Sequence, residues 1–88
     1  MEYKGGKERM QQSPEPERKL TLLQIRERHG LSILDVAWES NLPTIVVWRA
    51  FVNRTGIRLG QAKNIIHGVN ALAHTHYTLR DIDIKIAE

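Results

Sequence analysis

Apolar side chains recur at intervals of three and four residues over most of the chain, and this spacing predicts helices. The first stretch, about 21–29, has Leu22 and Ile25 on one face. The second, about 33–40, follows Ser32, a residue type that caps helix N-termini. Both stretches are therefore predicted as short helices.

A longer helix is predicted over about 60–75. Its apolar face consists of Ala62, Ile65, Ile66, Val69, Leu72 and Ala73. Gly68 lies in the middle of this stretch, where it costs about 1 kcal/mol of helix stability relative to Ala. We therefore expect Gly68 to mark a point of close contact.

The stretch 44–52, TIVVWRAFV, is rich in β-branched and aromatic residues, so taken alone it is compatible with a buried strand. Two residues before it favour a helix, because Asn41 tolerates the left-handed backbone of a tight turn and Pro43 suits a helix start. On a helix, the residues separate into two faces. The predicted core face contains Val47, Ala50, Phe51 and Arg54, and the outer face contains Ile45, Trp48, Arg49 and Val52.

Residues 1–19 have the composition of a polar leader. They contain two prolines, two glycines and almost no apolar side chains. Such a segment buries too little surface to offset the entropy lost on ordering. We expect a disordered or flexible leader, followed by one folded domain over 20–88.

The C-terminal segment has the alternation of a strand. From Ile82 to Ile86, every second residue is isoleucine and the residues between are polar. A single strand needs a partner. Either the same strand of a second chain pairs with it in a homodimer, or the isoleucines pack on the first helix.

Length and composition limit the class of protein. At 88 residues the chain has room for one small domain and a small core, but not for a deep substrate cleft. It has no cysteine, which excludes disulfides and thiolate metal sites. No apolar run spans a bilayer or marks a signal peptide. We therefore expect a cytoplasmic protein with no membrane partner.

No catalytic constellation is recognisable in the sequence. The Ser and Asp residues have no His at a supporting spacing, and no Gly-rich phosphate loop follows a strand. His67, His74 and His76 are close in sequence, but the last two cannot point the same way on a helix. We expect neither an enzyme nor a metal or other cofactor.

The charge of the chain is unevenly distributed, although the net charge of +3 is modest. No acidic residue lies between Glu39 and Asp81. The basic residues of this interval are Arg49, Arg54, Arg58, Lys63 and Arg80. An interval around 44–52 that carries positive charges and no negative ones predicts a polyanionic partner. The alternative is a chance cluster on a solvated surface.

The stretch 31–53 resembles the helix-turn-helix motif of the Cro/CI-like (XRE) family of bacterial and phage DNA-binding proteins. The matching residues are Leu31, Ser32, Val36, Ala37, Leu42 and Val47, with Asn41 where the family usually has Gly. The resemblance extends over about 20–84. It implies an all-α fold, a compact four- to five-helix bundle of the lambda-repressor-like type, to which the alternation from Ile82 to Ile86 adds the expectation of a short C-terminal strand.

The resemblance also implies a sequence-specific transcriptional regulator that binds double-stranded DNA, with the recognition helix at about 44–52 in the major groove. Base contacts are expected from Thr44, Ile45, Trp48 and Arg49, and phosphate contacts from Asn53, Arg54, Arg58 and Lys63. Arg49 is expected to make the main base-specific contact, because a guanidinium can bond guanine in bidentate fashion. A homodimer would suit such a regulator, with the segment from Ile82 to Ile86 at its interface.

A second function is compatible with the same fold. Groove-facing positions in relatives are mostly polar, whereas this chain offers Ile45 and Trp48 there. An exposed apolar strip more often marks a protein interface. The alternative is therefore a helix-turn-helix fold used as a protein–protein interaction module, with Ile45, Trp48 and Val52 as its anchor.

Overall fold

The computed structural model describes residues 19–88, and in this part of the chain it contains four helices and two short strands. In chain order these are β1 (Leu20–Thr21), α1 (Leu22–His29), α2 (Ile33–Ser40), α3 (Thr44–Val52), α4 (Leu59–Ala73) and β2 (Ile82–Asp83). A mostly helical domain with a short C-terminal strand is therefore confirmed, and no fifth helix forms between residues 19 and 88. The predicted leader, 1–19, lies outside the described residues apart from Lys19.

Capping side chains set the starts of the first two helices. The Thr21 hydroxyl accepts a hydrogen bond from the Gln24 amide at 3.1 Å, and Gln24 Oε1 accepts one from the Thr21 amide at 2.9 Å. This reciprocal pair is a capping box, which satisfies amides that have no partner inside α1. Ser32 Oγ accepts from two amides of the first turn of α2, as predicted.

A three-residue turn joins α2 to α3. Asn41 ends α2 with φ 58°, a left-handed conformation that asparagine tolerates. Pro43 precedes α3 with φ −60°, and its carbonyl accepts the Val46 amide at 3.0 Å. The segment Thr44–Val52 is a helix and not a strand, because the turn before it fixes the geometry of a helix start.

The close contact expected at Gly68 occurs between α4 and α2. A Cβ atom at Gly68 would lie 2.5 Å from Ser40 Oγ and 3.1 Å from the Ser40 amide nitrogen. Both residues are buried. The absence of a side chain at Gly68 therefore lets α4 approach the end of α2, which precedes the turn into α3.

The core lies between the inner faces of the four helices. Its largest fully buried side chains are Phe51, Leu22, Ile25, Ile65, Ile82, Val36, Val47 and Val69. Burying one such side chain stabilises the fold by about 1.5–3 kcal/mol relative to leaving it exposed. None of the helices found between residues 19 and 88 is both long enough and apolar enough to cross a membrane.

The C-terminal strand has its partner within the same chain. β2 pairs in parallel with β1, with Leu20 opposite Ile82 and Thr21 opposite Asp83. Ile82 is fully buried beside the start of α1. The strand therefore has a partner within its own chain, so pairing of the segment from Ile82 to Ile86 no longer requires a second chain. The alternative, with isoleucine packing near the first helix, is closer to the structure.

A second backbone contact holds the end of the chain. The Ile57 amide donates to the Lys85 carbonyl at 3.1 Å, and the Ala87 amide donates to the Ile57 carbonyl at 2.8 Å. Gly56 lies directly under this segment, since a Cβ there would be 2.5 Å from the Ala87 nitrogen. The C-terminal residues thus bind both the start of α1 and the loop between α3 and α4.

Candidate nucleic-acid interface

Helix α3 has one buried face and one exposed face. Val47, Ala50 and Phe51 are fully buried, as their helical spacing predicted. On the opposite face the exposed fractions of Ile45, Trp48 and Val52 are 59%, 52% and 39%. Thr44 and Arg49 are exposed as well. The four residues predicted to contact bases therefore all belong to one solvent-facing surface.

Arg54 was predicted on the core face of α3, but it is exposed. The helix ends at Val52, and Asn53 follows with φ 60°. This left-handed residue turns the chain, so the helical period that placed Arg54 inward does not continue. Arg54 instead lines a groove of about 170 Å³ whose other lining residues are Ile45, Trp48, Arg49, Val52 and Thr55.

The groove on α3 includes one residue that the sequence analysis missed. Thr55 lies beyond the end of the helix, it carries no charge and it belongs to no periodic pattern. No signal in the sequence distinguished it from the other loop residues. The groove therefore combines three apolar side chains, two guanidinium groups and one hydroxyl, most of them from α3.

Asn53, predicted to contact a phosphate, has another role in the structure. Its Oδ1 accepts the Lys85 amide at 2.8 Å, and its Nδ2 donates to the Asp83 carbonyl at 3.2 Å. Both ends of the amide are therefore bonded to the C-terminal segment. We assign Asn53 to fixing the end of α3, and we remove it from the candidate phosphate contacts.

The remaining predicted cations differ in their surroundings. Lys63 is exposed on α4. Arg58 is exposed at the start of α4, but it shares a pocket with Glu88, whose carboxylate weakens attraction to a phosphate. Lys85, which the sequence analysis did not include, donates from Nζ to the Arg54 carbonyl at 3.2 Å. Lys85 therefore adds a cation beside Arg54.

Exposed apolar residues lie on α2 as well as on α3. The exposed fractions of Trp38 and Leu34 are 84% and 68%. Together with Leu42 and Thr44 they border an open groove of about 590 Å³ along the turn between the two helices. Five of the eight large apolar side chains found exposed between residues 19 and 88 lie on α2 and α3. The apolar surface of this domain is therefore concentrated on one helix pair.

The histidines at the end of α4 do not provide a competing site. His74 ends the helix with φ 58°. Among residues 19–88, no three His, Cys, Asp or Glu side chains lie close enough together to hold a metal ion. His29 and Tyr77 are hydrogen bonded side chain to side chain at 3.2 Å and join α1 to the C-terminal region. The surface of α3 is thus the best-defined candidate for function.

The interpretation of this site depends on its geometry, because comparison with known proteins found no match. No protein-family model, no curated protein and no solved structure matches this chain. The described residues define a small, mostly helical domain with a parallel strand pair. Its candidate interface is an exposed helix face that carries one arginine among apolar side chains.

Proposed function

We propose that this protein is a sequence-specific DNA-binding transcriptional regulator, with a helix-turn-helix domain of the lambda-repressor-like type. In this proposal α3 enters the major groove of double-stranded DNA. The observation that supports it best is the exposed face of α3, which carries Arg49 and shares a groove with Arg54. The opposite face is fully buried, so α3 is held rigidly in the fold. Such a protein acts in the cytoplasm, on the nucleoid.

Each contact has a distinct task in this mechanism. The Arg49 guanidinium donates two parallel hydrogen bonds to O6 and N7 of a guanine, which fixes the register of α3 on the sequence. Thr44, at the start of α3, bonds a phosphate or a base. Arg54, Lys63 and Lys85 neutralise phosphates, and each such contact steepens the salt dependence of log K by about 0.9.

The test is binding of the full chain to a randomised duplex library at two salt concentrations, followed by sequencing of the bound fraction. We expect an enriched motif and an affinity that falls steeply with salt. On the enriched site, Arg49→Ala should lose about 1–3 kcal/mol of binding free energy. The control is Arg28→Ala, which removes the same charge from an exposed position on α1.

Three outcomes contradict the proposal. Salt-sensitive binding without an enriched motif means that the basic groups attract phosphates and that α3 does not discriminate between sequences. No binding at all removes the DNA function. An equal loss of affinity in Arg49→Ala and Arg28→Ala would show that charge alone, and not the geometry of α3, determines the affinity.

A homodimer remains part of the proposal, although β2 is already paired within the chain. Two copies of α3 would then contact half-sites about one helical turn of DNA apart. A two-fold symmetric enriched motif would support the dimer. An asymmetric motif bound by one chain, measured by analytical ultracentrifugation of the complex, would contradict it.

A second candidate function is protein–protein interaction. The observation that favours it is the exposure of large apolar side chains on both helices, Trp38 and Leu34 on α2 and Ile45 and Trp48 on α3. Tryptophans in solvent are costly for a monomer and are enriched at the centres of interfaces. This candidate predicts that Trp48→Ala abolishes a protein contact while DNA binding is absent or non-specific. Specific DNA binding lost in Trp48→Ala would contradict it.

A further inference from the structure

The exposed face of α3 can donate hydrogen bonds but can hardly accept them. Its polar groups are the Thr44 hydroxyl, the Trp48 indole N–H and the Arg49 guanidinium. Indole and guanidinium groups are donors only. The one side-chain acceptor on this face of α3 is therefore the Thr44 oxygen, and the groove beside it adds only the Thr55 hydroxyl. The rest of the face is apolar, formed by Ile45, Val52 and the ring of Trp48.

A face with more hydrogen-bond donors than acceptors fits some bases of the major groove better than others. Guanine presents two acceptors, and thymine presents one acceptor and a methyl group. Adenine and cytosine present amino groups, which need an acceptor on the protein. An amino group buried against Ile45 or Trp48 loses its hydrogen bond to water and gains none, which opposes binding. A methyl group in the same place gains from leaving water.

The apolar side chains and the guanidinium groups line one groove, so a methyl group and a guanine can be contacted together. Ile45 lies four residues before Arg49, which is about 6 Å along the helix and comparable to one or two base steps. We propose that α3 selects duplex DNA by the C5-methyl group of a pyrimidine close to a guanine. Ile45 and Trp48 contact the methyl group, and Arg49 bonds the guanine. This proposal rests on the DNA-binding function proposed above.

Two DNA bases carry this methyl group, thymine and 5-methylcytosine. Thymine fits the donor-rich face better, because 5-methylcytosine keeps the amino group of cytosine. The test therefore uses the site enriched from the randomised library. At each position of this site, one chemical group of one base is changed at a time. In one arm thymine is replaced by uracil, which removes the methyl group and keeps every hydrogen-bonding group. In the other arm 5-methylcytosine is compared with cytosine at the same pyrimidine position, each paired with guanine. Affinity for the full chain is measured by fluorescence anisotropy.

We expect loss of the methyl group to lower affinity about fourfold at a contacted position, the value for one buried methylene. The loss should depend on Ile45. In Ile45→Ala the same base change should have an effect below about twofold, because the methyl group then faces a gap. Leu23→Ala is the matched control, since it shortens an exposed aliphatic side chain on α1. It should keep the fourfold effect.

Each outcome decides between the alternatives. An effect in the uracil arm alone identifies thymine as the source of the methyl group, and an effect in the cytosine arm alone identifies 5-methylcytosine. No methyl effect at any position, with specific binding intact, overturns this inference and leaves the DNA-binding function standing. An effect of equal size in wild type and Ile45→Ala also overturns it, because the methyl group then acts through DNA shape. Absence of specific binding overturns both proposals.

Discussion

The contact between Gly68 and Ser40 decides how α2, and with it the turn into α3, is held on α4. Substituting Gly68 with Ala tests this contact. The new Cβ would lie 2.5 Å from Ser40 Oγ, 3.1 Å from the Ser40 nitrogen and 3.3 Å from the Glu39 carbonyl carbon. Rotation of the Ser40 side chain can relieve the first overlap. It cannot relieve the other two, which involve backbone, so α2 must move away from α4.

Two opposing effects set the size of the change. Replacing Gly by Ala inside a helix gains about 0.8–1 kcal/mol of helix propensity. Forcing an extra methyl group into a packed interior typically costs about 1–3 kcal/mol, and backbone contacts lie at the costly end of that range. We therefore expect Gly68→Ala to lower the free energy of unfolding by about 1–2 kcal/mol. For a domain of this size the melting temperature should fall by about 5–15 °C.

The assay is urea unfolding followed by circular dichroism, with the slope m compared between variants. Gly60→Ala is the control, because it lies on the same helix and a Cβ there meets nothing within 4 Å. It should raise stability by about 0.4–1 kcal/mol. Gly68→Ala as stable as wild type would refute the close contact. So would equal shifts in the two variants, because they would then reflect helix propensity alone.

Three further predictions concern Asn53, Ile82 and Trp38. Asn53→Gly keeps the left-handed backbone but removes two hydrogen bonds, so it should cost about 1–3 kcal/mol in urea unfolding and leave DNA affinity unchanged; an affinity loss without a stability loss would return Asn53 to the phosphate contacts. Ile82→Ala should cost about 2–5 kcal/mol in the same assay, because its side chain is fully buried; a loss far below that range would mean that the C-terminal segment is not part of the core. Trp38→Ser should change the unfolding free energy by less than about 0.5 kcal/mol, because Trp38 is exposed; a larger loss would show that Trp38 packs against the rest of the chain.

The helices were predictable from the sequence because their ends are set locally. Thr21, Ser32 and Asn41 act within three or four residues of their own positions. Their effect on the helix ends can therefore be recognised from the sequence without knowledge of the fold. The segment Thr44–Val52 is instructive, since its β-branched composition favours a strand. The turn before it and the burial of one helical face outweigh that preference.

The contacts of the C-terminal segment were not predictable, because they depend on pairing between residues that are distant in the sequence. Ile82 has a strand-like neighbourhood in the sequence, but nothing there indicates that its partner is Leu20. Asn53 was assigned to phosphate from the resemblance, whereas its side-chain amide bonds the backbone of Asp83 and Lys85, 30 and 32 positions later in the chain. Arg54 was misplaced because the helical period was extended two residues past Val52, where α3 ends.

The apolar face of α3 is not required by the fold, and this bears on both candidate functions. α3 contributes Val47, Ala50 and Phe51 to the core and packs Val46 against it. Ile45 and Trp48 belong to neither group, so polar side chains there would leave the core unchanged. Large exposed apolar side chains gathered in one place indicate a binding surface. They also flank Arg49, and an apolar surface that excludes water on binding strengthens the hydrogen bonds of a guanidinium it surrounds. The apolar residues and the arginine therefore act together most effectively on a partner that offers both a hydrogen-bond acceptor and an apolar group side by side. The major-groove edge of DNA provides that combination wherever a guanine lies close to a methylated pyrimidine.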